Sequence, residues 1–148
     1  MHYHHFLLIA HLLAAAIWVG GHLVLFVGIV PAAMANSDKN LILDFEVRYG
    51  RIGIPALVIL VASGVAMAID YGVMPRSWFT FSTPLEKIVS LKLLLLLATV
   101  SFAISAQLWV ISGVVRGSVP LKVLVWHITG VTLLGVSMLV LGTFVRFG

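Results

Sequence analysis

Four long runs of apolar residues divide the chain, and polar residues collect between them. The runs are about Phe6 to Val30, Ile52 to Ile69, Ile88 to Gly113 and Leu121 to Val145. A bilayer core is about 30 Å thick and takes about 20 apolar residues per helix. Three runs meet that length, and the second is a little short of it. NSDKN (Asn36 to Asn40) breaks the first run, and DFEVRYGR leads into the second. DYGVMPRSWFTFSTP (Asp70 to Pro84) joins the second to the third, and RGSVP (Arg116 to Pro120) turns the third into the fourth. The pattern predicts an all-α integral membrane protein. Its single domain, residues 1–148, is a four-transmembrane-helix up-down bundle with helices at about 6–30, 52–69, 88–113 and 121–145.

Composition agrees. Of 148 residues, 61% are hydrophobic and 9% charged, against roughly a quarter charged in soluble domains. A secretory leader would need a basic segment ahead of its apolar core. MHYHH supplies no Lys or Arg, so the first run is expected to stay as a helix. With no Cys, disulfides and thiolate metal sites are excluded. No phosphate-binding glycine loop or nucleic-acid motif occurs, and the five carboxylates fall near helix ends or in loops.

The net charge of +4 bears on topology and lipid headgroups. Let side A be the side of the N-terminus. Side B then carries Lys39, Arg48, Arg51, Arg116 and Lys122, and side A carries Arg76, Lys87 and Arg146, with Lys92 just inside. The bias favours side B as cytoplasmic and the N-terminus as outside, and the small size suggests a bacterial inner membrane, where that outside is the periplasm. Trp78, Phe79 and Phe81 are expected at the side A headgroups. Small residues four apart, such as Gly64 and Ala68, permit close helix contact.

The chemistry rests on few side chains. Ionisable residues inside a membrane are costly and usually face the bundle interior. Here they are His11, His22, Lys92 and His127, with Gln107 as a neutral companion. His11 and His22 differ by about 20° around a helix and stand about 16 Å apart along it. That is too far for one metal ion, so two sites at two depths are expected. By residue count, His11 lies about 8 Å and Lys92 about 6 Å inside side A. Met67 and Met138 fall near that layer. His22 lies about 12 Å and His127 about 8 Å from side B, so these two share the other layer.

Two imidazoles on different helices suit haem b, each Nε2 taking one axial position. Gly21 beside His22 and Gly130 after His127 would let a flat macrocycle approach the backbone. One or two haems are therefore expected, bound by His22 and His127 and, at the second site, by His11 with Met138, Met67 or Lys92. The plainer alternative is that each histidine is satisfied by a carbonyl or hydroxyl, and that Lys92 snorkels. The electron partner would be a quinone or another membrane redox protein, and a homo-oligomer is compatible with the pattern. Copper is the other cofactor in view. His2, His4 and His5 with the terminal amine suit copper(II), and His and Met side chains suit copper(I).

AHLLAAAIWVGGHL (Ala10 to Leu23) resembles the opening of the copper-resistance protein D (CopD-like) membrane family and of the related HemJ-type four-helix protoporphyrinogen oxidases. Both tend to begin with His, six residues, Trp and then small residues including Gly. RIGIP (Arg51 to Pro55) and LKLLLLL (Leu91 to Leu97) resemble the starts of their second and third helices. The resemblance implies a porphyrin role for His11 and Lys92 on the HemJ side, or copper handling on the CopD side. Helix four departs from it. The Asn-Glu-x-x-Pro-like pattern of the HemJ type is absent and His127 stands in that helix, which favours a bis-histidine cytochrome over an oxidase.

Overall fold

The computed structural model describes residues 2–144, with His2 described by its backbone alone. Four helices are long and apolar enough to cross a membrane. The first, α1, runs through His2–Val24, a π-helical turn at Leu25–Ile29, and Val30–Asn36. The second, α2, is Asn40–Asp70. The third, α3, is Pro84–Ser105, a second π turn at Ala106–Val110, and Ile111–Arg116. The fourth, α4, is Leu121–Phe144. Large apolar side chains such as Leu13, Val58, Leu133 and Trp126 point outward, as expected where lipid rather than water covers the surface.

Three helices are longer than expected. Pro31 explains the π-helical turn in α1. It has no N–H for the Val27 carbonyl, and the π turn just before it takes up the mismatch. The helix then continues to Asn36 rather than ending near Val30. The start of α2 moves from the expected 52 back to Asn40. Its charged residues Asp44, Arg48 and Arg51 are exposed. Its buried residues Ile42, Tyr49, Ala56 and Ser63 recur every seventh position and form one stripe against α1. At 1.5 Å per residue α2 is about 46 Å long, beyond the ~30 Å of a bilayer core. Its extra turns carry Arg48 and Arg51 toward the side B surface. A capping box starts α3 early: the Thr83 hydroxyl accepts from Glu86 N, and the Glu86 carboxylate accepts from Thr83 N. The expected last residue of α4, Val145, lies outside the described residues.

The turns on side B are tied together. Lys39, between α1 and α2, donates to the carbonyls of Val114 (2.9 Å) and Val115 (3.1 Å) at the end of α3. Gly117 then takes a left-handed φ of 76°, which closes α3 and turns the chain into α4. On side A, Phe79 and Phe81 hold left-handed φ values of 71° and 56°. Phe79 N donates to Ser90 Oγ, which fixes this loop on α3. Helix α1 packs most extensively on α2, and α3 on α4; the two pairs meet mainly through α1 and α4. Helices α2 and α3 are not among the closely packed pairs, and clefts open along that seam.

Candidate functional site

Two clefts lie at different depths. The side A cavity, about 160 Å³, is lined by His11, Met67, Lys92 and Met138 together with Tyr71 and Trp78. The side B cleft, about 340 Å³, is lined by His22 and His127 together with Trp18, Glu46, Tyr49 and Gln107. The larger volume lies within the range of small-molecule sites, roughly 300–1,000 Å³. The smaller matches a cavity that holds a single benzene ring, about 150 Å³.

Each membrane histidine has its Nδ1 anchored. His22 is 8% exposed, and its Nδ1–H donates to the Trp18 carbonyl at 2.8 Å. A carbonyl can only accept, so the bond fixes the tautomer and leaves Nε2 with its lone pair. The same carbonyl accepts the Tyr49 hydroxyl at 2.8 Å. Trp18 and Tyr49 flank the His22 ring at centroid distances of 4.5 Å and 5.5 Å. Among the described residues, Trp18 Nε1 is the one buried side-chain polar atom without a partner.

His127 is held at both nitrogens. Its Nδ1–H donates to the Val123 carbonyl at 2.9 Å, so its Nε2 accepts the Ser105 hydroxyl at 3.0 Å. The structure brings His22 and His127 to one cleft but not to one level. Thr132 Oγ, whose hydrogen goes to Ile128 O at 2.7 Å, lies 3.4 Å from the His22 carbonyl, so His22 is level with residue 132 rather than 127. Five residues are about 7.5 Å along the axis. The rings also lean apart, because each reaches toward the N-terminus of its own helix and α1 and α4 run in opposite directions.

The two glycines do not leave room for a flat ring. The Tyr49 ring fills the space where a Cβ on Gly21 would stand, and Phe102 lies 3.0 Å from the Cβ position of Gly130. Their close approach serves helix packing.

In the side A cavity the Ser63 hydroxyl gives its only hydrogen to a carbonyl of its own helix, Ile59 O at 2.6 Å. It therefore accepts from His11 Nδ1 at 3.0 Å, and His11 Nε2 carries the lone pair. The His11 ring rests on Gly64, 3.1 Å from its Cβ position. Lys92 Nζ sits 3.3 Å from the Cβ position of Gly142. Trp78 is half-buried in the wall of this cavity.

At the N-terminus, His4 Nδ1 binds Asp70 Oδ2 at 2.6 Å and its Nε2 meets the Tyr71 hydroxyl at 3.1 Å. The His4 and His5 rings are 6.5 Å apart, and the side chain of His2 lies outside the described residues. Among the described residues, no three His, Asp or Glu side chains converge on a metal position.

Glu46, Tyr49, Ser63 and Ser105 are site residues that hydropathy does not reveal. The signal for Tyr49 and Ser63 is the seven-residue stripe of α2, which continues through the charged stretch. No family model, curated protein or solved structure matches the chain.

Proposed function

We propose that the chain is a small membrane b-type cytochrome that holds haem b in the side B cleft. It would sit in a bacterial inner membrane with its N-terminus periplasmic, and would carry electrons. The observation that carries this reading is the His22 imidazole. It is buried, its tautomer is fixed by the Trp18 carbonyl, and its Nε2 lone pair has no protein partner among the described residues. Haem ligands have the same outer anchor, which orients the ring and raises its basicity. The unpaired Trp18 Nε1–H offers a donor to a porphyrin substituent. As placed, the cleft offers one axial ligand, His22; a second bond from His127 would need its Nε2 to leave Ser105 and its ring to swing toward side A. When bound, haem supplies one-electron chemistry. The chain's part is to orient the ring nitrogens and exclude water.

The visible spectrum of protein purified from membranes tests this. A Soret band with sharp reduced α and β bands is expected, lost in His22→Ala. A colourless protein with stoichiometric copper supports the second reading, copper transfer of the CopD type. That reading has its own observation: His11, Met67 and Met138 line one cavity, a soft ligand set suited to copper(I).

A further inference from the structure

The side A cavity combines three properties. Its volume, about 160 Å³, is that of one six-membered ring. Its wall is apolar, with Leu60, Val65, Ile88 and Leu96 between α2 and α3. Its polar groups are an acceptor and a donor. His11 Nε2 carries a lone pair, because Nδ1 holds the hydrogen for Ser63. Lys92 Nζ makes no hydrogen bond to any described residue, and it lines the same cavity as His11. A carboxylate would satisfy the lysine but set its lone pairs against that of Nε2. A metal ion held by His11, Met67 and Met138 would leave the lysine without a partner. A hydroxyl on an aromatic ring satisfies both, since its O–H donates and its oxygen accepts.

We propose that this cavity binds the ring of a lipid-soluble hydroquinone, one ring hydroxyl donating to His11 Nε2 and accepting from Lys92 Nζ. The seam between α2 and α3, where helix contact is sparse, lets the ring enter sideways and leaves its tail in lipid. Trp78 and Tyr71 lie at the side A end of the cavity. The inference rests on the redox reading for its purpose, but the binding itself does not require haem.

The test uses the full chain in lipid nanodiscs and a hydroquinone with a saturated alkyl tail, followed by calorimetry on protein with and without bound haem. Saturable binding is expected in both preparations, so a missing Soret band defeats the cytochrome reading without touching this one. The dimethyl ether of the same probe keeps the ring and tail but has no O–H. It is expected to bind at least tenfold more weakly to the unaltered protein, a comparison that needs no variant. His11→Ala is expected to abolish that preference, and Lys92→Met to weaken both probes. Equal affinity for hydroquinone and ether, or hydroquinone binding unchanged in both variants, overturns the proposal. So does a saturated fatty acid that binds in a Lys92-dependent way while the hydroquinone does not.

Discussion

One carbonyl oxygen, that of Trp18, accepts both the Tyr49 hydroxyl and the His22 Nδ1–H, each at 2.8 Å. It joins α1 to α2 and sets the direction of the histidine in a single contact. Tyr49→Phe removes one of the two bonds and keeps the ring. Hydrogen bonds between membrane helices are worth about 0.6 kcal/mol on average and at most about 1.7. A small loss of thermal stability in detergent is expected, with the haem spectrum unchanged because His22 keeps its anchor. A lost spectrum would show that Tyr49 orients the histidine directly.

Gly21→Ala is expected to cost more than Tyr49→Phe. The added methyl meets the Tyr49 ring, which is wedged between Gly21 and Gly53. Overpacking of this kind costs about 1–3 kcal/mol. The double variant Gly21→Ala with Tyr49→Ala relieves the clash, so its loss of stability should be smaller than the sum of the two single losses. Strict additivity in that cycle, read by thermal unfolding, would show that the two residues do not press on each other.

How far the sequence carried can be seen at the histidines. Counting inward from side A set His11 and Lys92 at one depth, and both line one cavity. That count works because α1 and α3 have few residues before their membrane runs on that side. Counting from side B failed for His22 and His127. Its reference point was an end of α1 near Val30, whereas the π turn before Pro31 lets the helix run on to Asn36. Hydropathy averages over a window and stops where Asp44, Glu46, Arg48 and Arg51 cluster. The seven-residue spacing of Ile42, Tyr49, Ala56 and Ser63 crosses that cluster unchanged. The partners of the histidine nitrogens, Ser63 and Ser105, were not legible, because a serine in a membrane helix usually bonds its own i−4 carbonyl.

Ser105→Ala tests the second ligand position. The Ser105 hydroxyl now occupies His127 Nε2, so it competes with any iron at that atom. Its removal should raise the low-spin fraction of bound haem, while His127→Ala should convert the spectrum to high-spin. Electron paramagnetic resonance of the oxidised protein reads both. If both variants leave the spin state unaltered, His127 is not a ligand.

Lys39→Met separates stability from cofactor binding. The Lys39 amine caps the carbonyls of Val114 and Val115 at the C-terminus of α3, where a cation is also favoured by the helix dipole. Loss of that charge should cost about 0.3–1 kcal/mol. The variant should melt at a lower temperature and bind haem and hydroquinone normally. A changed affinity for either would mean that the side B turns couple to the clefts.

Glu46→Gln addresses the one carboxylate in the wall of the side B cleft, beside Tyr49, His22 and Gln107. No described residue gives it a hydrogen bond or an ion pair, so an ionised Glu46 would place an uncompensated negative charge on the cofactor's surroundings. Negative charge near haem favours the ferric state and lowers the reduction potential, because burial weakens the screening that water provides. The amide keeps the shape and removes the charge. The midpoint potential of the variant is therefore expected to lie above that of the unaltered protein at high pH. The gap should close as the pH falls and Glu46 takes up its proton. Redox titration across a pH series measures both effects. Identical potentials at every pH would place Glu46 outside the field of the haem, and with it would remove the side B cleft as the haem site.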